Sequence, residues 1–245
     1  ERDKLSESIS NLLKDTKKIG FEEDNLTYSE FKFFEKFFEN KLVPKSGLVE
    51  SQRVIKTPDE IKKIERAQII SQQAFSKILP YIKVDQSEDE IEQLLAKILK
   101  SLGGHGLAFE SIIASGPNAA KPHHQTSNRK FKKGDVLLLD FGTKYQNYSA
   151  DLSRTLFIGK AKDEHANVFW HVLDAQKKAL KNIKKGTKTH EAFNYANSHF
   201  QNHKLEEFFT HGLGHGIGLD VHETPYLRKT ATNETLKNLW MVDIA

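Results

Sequence analysis

The sequence predicts an internally duplicated α+β fold, and three observations carry that prediction. A helix–helix–strand order occurs twice along the chain. Two apolar runs, each holding one aspartate, are separated by a short polar turn. A glycine-stripped segment from His211 to Glu223 gathers three histidines and a glutamate. Helices segregated from antiparallel strands define the α+β class, and recurrence of one order argues for duplication even where side-chain identity is slight.

The first 52 residues read differently from the rest. An amphipathic helix is expected over 5–19, a short strand over 18–22 and a second helix over 27–40. That second helix carries Phe31, Phe33, Phe34, Phe37 and Phe38, a run of rings that needs a hydrophobic partner and finds little of one in so short a unit. Residues 42–44 are expected to be extended, with a turn at 47–49.

The remainder opens on Thr57-Pro58-Asp59-Glu60, a capping box with proline at the first helical position. Ile61, Ile64, Ala67, Gln68 and Ile70 give this helix a buried stripe, and it is expected to run to about residue 81. Ser87 with Glu90 starts a second helix, which Gly103-Gly104 ends. A strand-like stretch at 108–114 leads to a loop holding Pro122-His123-His124 and then to the aspartate hairpin. The order then repeats: a helix over 162–182, a Lys185-Gly186 turn, a helix from 189 to about 203, a strand-like stretch at 207–210 and the histidine segment.

The histidine segment cannot be helical, because Gly212, Gly214, Gly216 and Gly218 would each cost about 1 kcal/mol in a helix interior. As an extended segment its glycines share one face, while His211, Leu213, His215, Ile217 and Leu219 share the other. A face without side chains suits close approach by another backbone or a substrate.

In the aspartate hairpin, residues 136–141 are apolar except for Asp140, and 149–158 read as the returning strand. Folding about a centre near Tyr145 and Gln146 sets Asp140 opposite Asp151. Directly paired residues share a face with Cβ atoms about 5 Å apart. Two buried carboxylates that close repel one another and raise one pKa. A bridging cation removes the conflict, so the pair points to metal.

Asp140-Phe141-Gly142, Asp151-Leu-Ser-Arg-Thr155, His211 with His215, His222-Glu223 and the upstream Pro122-His123 together resemble the Xaa-Pro aminopeptidase and prolidase branch of the pita-bread metallopeptidases. That family also includes methionine aminopeptidases and creatinase, and the resemblance covers residue 53 onward. It implies the pita-bread fold, two helix–helix–sheet halves related by a pseudo-twofold with the metal site between them. It implies two divalent ions, ligated by Asp140, bridged by Asp151 and bound by His215, with two further glutamates in the family. Oxygen-rich sites with one imidazole favour Mn²⁺, with Co²⁺ or Zn²⁺ next. His123, His211 and His222 match catalytic positions that bind substrate, stabilise the intermediate or move protons. Arg154 is a candidate partner of a ligand carboxylate, or the member of a surface ion pair. The implied reaction releases the N-terminal residue from peptides with proline second, by a hydroxide shared between the ions. Residues 1–52 then correspond to the C-terminal remnant of a creatinase-like N-terminal domain, and 53–245 to a pita-bread domain lacking its last strands. The two glutamates are not found in the sequence, Glu223 and Glu234 falling too early in the pattern, so the 245-residue chain by itself is expected to be inactive. Two alternatives stay open: a non-catalytic pita-bread module that binds peptides or proteins, and a related hydrolase of the methionine aminopeptidase or creatinase type.

Composition sets outer bounds. At 245 residues the chain can bury a good core, and without cysteine it has no disulfide, thiolate metal site or thiol nucleophile. No apolar run approaches the roughly 20 residues a membrane-spanning helix needs, so no membrane partner is expected and a cytoplasmic location is. The net charge of +4 comes from lysines scattered among acids, with clusters at 131–134 and 177–185. No recognition motif accompanies them, so solvated surfaces are expected rather than nucleic-acid binding. A homo-oligomer is compatible with the sequence.

Overall fold

The computed structural model describes residues 8–38, 40–230, 234–236 and 242–244. The chain divides into two compact units, residues 1–53 and 54–245.

In the first unit, helix is present over residues 8–12 and gives way to turn before β1 (Ile19–Glu22). The helix expected over 5–19 is therefore shorter at its far end, and residues 1–7 lie outside the described residues. Thr27 caps α1 (Tyr28–Phe38), its backbone N–H and hydroxyl both donating to the Glu30 carboxylate. β2 (Leu42–Lys45) pairs in parallel with β1, Ile19 opposite Leu42. The phenylalanines find partners in one another: Phe31 meets Phe21, Phe33 meets Phe34 and Phe37, and Phe34 stacks on the buried Phe38. Residues 48–53, expected to begin as a turn, form the short α2 (Leu48–Arg53).

The second unit holds the duplicated fold. Thr57 and Glu60 form the expected capping box of α3 (Pro58–Ile78), which buries Ala67, Ile70, Ser71, Ala74 and Ile78. Ser87 and Glu90 do the same for α4 (Glu88–Ser101), and Gly103, at φ +92°, turns the chain out of it. The strand expected over 108–114 is confined to β3 (Ile112–Ser115). It pairs with β4 (Val136–Phe141), which pairs with β7 (Leu152–Phe157). Between β4 and β7 lies a two-stranded ribbon, β5 (Lys144–Tyr145) and β6 (Tyr148–Ser149). Leu137, Leu139 and Phe141 alternate inward along β4 and pack with Ile70, Ile78, Ile91 and Leu95 of the two helices.

The second half repeats the plan with α5 (Asp163–Asn182), α6 (Thr189–Asn202), β8 (Gly214–Gly216), β9 (Glu223–Leu227) and β10 (Val242–Ile244). Its sheet has the order β10-β8-β9. Ala175, Ala179, Phe193, Ala196 and Phe200 form its core with Leu213 and Leu227. The strand expected at 207–210 is instead a 3-10 turn, Glu206–Phe208, on which Phe209 folds back to stack with Phe193.

The repetition extends to individual hydrogen bonds. Glu88 N–H donates to Arg129 O and Phe131 N–H to Gln86 O; in the second half Thr189 N–H donates to Glu234 O and Leu236 N–H to Thr187 O. The β3–β4 pairs Ser115–Leu137, Ala114–Leu138 and Ile113–Leu139 have antiparallel counterparts in Gly216–Val242, His215–Asp243 and Gly214–Ile244. Two copies of one backbone plan are thus set in one unit. The stretch between Leu236 and β10, residues 237–241, lies outside the described residues.

Candidate metal centre

The aspartate hairpin turns one residue later than its sequence suggests. Gln146 and Asn147 both take positive φ, 47° and 71°, forming a two-residue hairpin loop of the kind whose twist matches the strands. Tyr145 consequently faces Tyr148, and Asp140 faces Ser153 rather than Asp151. Moving the centre by one residue moves the register by two, so Asp151 becomes a diagonal neighbour of Asp140 on the same face. Gly142 permits the tight junction of ribbon and sheet, since a Cβ there would collide with the Ala150 carbonyl oxygen.

Asp140 lies on the face of β4 opposite Leu139 and Phe141. Its Oδ1 accepts from Ser153 Oγ at 2.9 Å, and it is in side-chain contact with Asp151. Burial pushes the Asp140 carboxyl above its usual range, against the hydrogen bonds from Ser153 and Asp151 and the nearby His222 and His215.

Ser149 ties this hairpin to the histidine segment: its N–H donates to Gly218 O at 2.7 Å and its hydroxyl to Leu219 O at 3.3 Å. The expectation of a face bare of side chains also has a physical counterpart. A Cβ on Gly216 would meet the Thr224 carbonyl oxygen of β9, one on Gly212 would stand 3.0 Å from Leu227 O, and one on Gly218 would stand 2.7 Å from the Glu223 carboxylate. β9 can therefore pack tightly on the segment, with a register shift between His215 and Gly216.

His215, at the centre of β8, donates from Nδ1 to Gly216 O at 3.0 Å. That leaves the Nε2 lone pair facing Asp151 Oδ2 at 3.7 Å, too far for a hydrogen bond. The His222 ring stands edge-on to it, centroids 4.3 Å apart, and one ligand atom from each of Asp151, His215 and His222 lies within 4.8 Å of the others. Burial and His215 lower the His222 pKa, Asp140 opposes them, and His123 is close enough to lower it further. His211 stands apart among the described contacts: its ring meets Phe209 edge-on at 5.2 Å and its Nδ1 donates to Gly212 O. Arg154 donates to Ser153 O and lies over the Phe75 ring.

The donor set suits a divalent cation. Donor atoms each about 2.0–2.2 Å from one ion stand roughly 3–4 Å apart, the spacing seen between His215 Nε2 and Asp151 Oδ2. A cation would also reverse the upward push on Asp140, because its charge favours the ionised form.

Two buried carboxylate contacts escaped the sequence reading, although Glu223 itself lay in the motif. Glu88, fully buried at the start of α4, accepts from Ser115 N and Oγ, Asn118 Nδ2, Ser127 N and Oγ, and the His124 imidazole, all at 2.7–3.4 Å. It thereby fixes the loop that carries His123, which lines a cavity of about 240 Å³ with Glu110, Ser111, Ile112, His124, Gln125 and Thr126. Glu223, adjacent to His222, forms a buried ion pair with Lys56, Nζ to Oε2 2.8 Å, and also accepts from Asp220 N–H. Glu88 stands between the cap residues Ser87 and Glu90 and is not marked by them, although the polar residues Ser115, Asn118, His124 and Ser127 downstream were a signal for a buried acceptor.

Two like helix–helix–sheet halves with carboxylates and imidazoles converging between them define the pita-bread class of metallopeptidases. The sequence pattern of metallopeptidase family M24 matches residues 62–242, and that of the creatinase/prolidase N-terminal domain residues 1–55. The chain belongs to metallopeptidase family M24. It is 34% identical over 212 residues to an uncharacterized peptidase of Bacillus subtilis, covering 86% of this chain and 60% of that protein. Among solved structures it resembles an Xaa-Pro dipeptidase from Bacillus anthracis, with TM-score 0.91, 34% identity and coverage of 94% of this chain and 65% of that one. It also resembles an X-Pro aminopeptidase from Thermotoga maritima, with TM-score 0.85, 35% identity and coverage of 95% and 66%. The chain thus spans 60 to 66% of the length of these relatives.

Proposed function

We propose that this chain carries the metal centre of an exopeptidase that releases the N-terminal residue from peptides with proline in second position. The observation that carries the reading is the convergence of Asp140, Asp151 and His215 Nε2 from two halves of one duplicated fold. The names of the structural relatives, a dipeptidase and an aminopeptidase acting on Xaa-Pro bonds, support the substrate class. Asp140, Asp151 and His215 would hold divalent ions, Mn²⁺ first for so oxygen-rich a set. Such ions supply Lewis-acid polarisation of a peptide carbonyl and activation of water. His222, whose pKa burial and His215 lower, is suited to take or give a proton at that carbonyl, with His123 beside it orienting the peptide. His211 keeps a role in substrate binding in this reading. We place the protein in the cytoplasm.

The test uses the whole gene product loaded with Mn²⁺ and assayed on Xaa-Pro dipeptides, Xaa-Pro-Yaa tripeptides and Met-Ala. Hydrolysis of the proline peptides is expected, with Asp151→Asn losing bound manganese and several orders of magnitude in turnover. Cleavage of Met-Ala alone, or full activity in Asp151→Asn, overturns the assignment. For the 245-residue chain by itself, two carboxylates and one imidazole are expected to hold at most one Mn²⁺, weakly, without turnover.

A further inference from the structure

A second cluster of imidazoles lies in the other layer of the fold, on the two helices of the second half. His171 projects from α5, while His199 on α6 and His203 at its C-terminal end are four residues apart and share one side of that helix. One ligand atom from each of the three lies within 4.8 Å of the others. His171 Nδ1 and His199 Nε2 face each other at 3.2 Å. The ring centroids are 5.4 Å apart for His171 and His199, 4.1 Å for His171 and His203, and 4.4 Å for His199 and His203.

We propose that His171, His199 and His203 form a second metal site, separate from the carboxylate centre, that takes a borderline transition-metal dication of the Zn²⁺ class and links α5 to α6.

The geometry fits that chemistry at three points. Two nitrogens bound tetrahedrally at about 2.0–2.1 Å stand roughly 3.4 Å apart, close to the His171–His199 separation. His203 Nδ1 donates to His199 O at 2.8 Å, which puts its lone pair on Nε2. A backbone carbonyl holding the non-ligating nitrogen is the usual way a ligating imidazole is oriented. His171 and His199 are half-buried and His203 is exposed, so an ion can enter from solvent and keep a water in the fourth position.

Ligand type separates this site from the first. Three neutral imidazoles without a carboxylate favour Zn²⁺, Ni²⁺ and Cu²⁺ and are poor ligands for Mn²⁺ or Mg²⁺. The Asp140 and Asp151 pair has the opposite preference. The competing account is that the three rings merely pack on one another between two helices.

The experiment uses the tag-free 245-residue chain with Mn²⁺ in excess to occupy the carboxylate centre. Zn²⁺ is then titrated and followed by calorimetry and by the thermal midpoint, and Cu²⁺ is added as a spectroscopic probe to a separate sample free of Mn²⁺. One equivalent of Zn²⁺ is expected to bind and raise the midpoint. Cu²⁺ is expected to show an electron paramagnetic resonance signal split by several equivalent nitrogens. His203→Ala and His171→Gln should each weaken Zn²⁺ binding by at least about tenfold and abolish the midpoint rise, leaving manganese uptake unchanged. Zn²⁺ uptake equal in parent and both variants overturns the proposal, as does a Cu²⁺ signal without nitrogen splitting in the parent. The second readout needs no substitution, so its failure overturns the proposal even if a variant fails to fold.

Discussion

Glu88 shows how one buried carboxylate can organise a loop. Burial pushes its pKa up, but hydrogen bonds from Ser127, Ser115, His124 and Asn118 outweigh that and hold it down at about 2. A depressed carboxylate stabilises the fold fully above its unfolded value near 4.5 and loses that contribution as pH falls toward 2. The difference corresponds to on the order of 3 kcal/mol. Replacing Glu88 by Gln turns an acceptor-only group into one whose amide opposes the Ser115 and Ser127 N–H donors. Glu88→Gln is expected to lower stability by about 2–4 kcal/mol at neutral pH. The gap between parent and variant should narrow steadily between pH 5 and pH 2. Urea unfolding at several pH values checks this, and a gap independent of pH would show that Glu88 does not act as an ionised acceptor.

At the scale of elements, the β4–β7 hairpin is set by its two-residue turn. Neither Gln146 nor Asn147 is glycine, yet both adopt positive φ, which for ordinary residues costs about 1–2 kcal/mol each and less for asparagine. Changing Gln146→Asn together with Asn147→Gly supplies the pair such turns prefer. This is expected to stabilise the chain by about 1 kcal/mol, read as a higher thermal midpoint with manganese binding unchanged. The same turn explains where the sequence misled. Both aspartate strands, both capping boxes and the tight approach allowed by the glycines could be read from spacing alone, because each depends on neighbours within a few positions. The hairpin centre could not, since no Asn-Gly or Asp-Gly pair marks it and a shift of one residue leaves the alternation of faces intact. The 3-10 turn at Glu206–Phe208 was missed because what decides it is tertiary, namely Phe209 docking on Phe193 and Phe200. Glu88 draws its partners from 27 to 39 residues away, beyond any local pattern.

Across the whole second unit, one frame is used twice with different chemistry placed on it. Ala114 and His215 occupy equivalent positions, paired with Leu138 and Asp243. The first half thereby supplies carboxylates from its hairpin, and the second supplies imidazoles from its glycine-rich strand. The buried pair of Lys56 and Glu223 ties the start of this unit to the first residue of β9. Lys56→Met would leave the Glu223 carboxylate buried without its cation, at a cost of about 3–5 kcal/mol.

The two partners of that pair are 167 residues apart in sequence, and this separation has a kinetic meaning. Bringing such distant positions together demands a large loop-closure entropy before any contact compensates it, so the bond should form after the barrier, once each half has condensed on its own core. Interactions absent from the transition state govern how fast a protein comes apart rather than how fast it assembles. Lys56 and Glu223 then act as a latch on lifetime. In stopped-flow experiments Lys56→Met is expected to accelerate the unfolding limb by roughly a hundredfold or more, as a loss of about 3 kcal/mol implies, while the main refolding rate stays close to that of the parent. A variant that instead refolds a hundredfold more slowly would put this contact in the nucleus and the closing of the unit first.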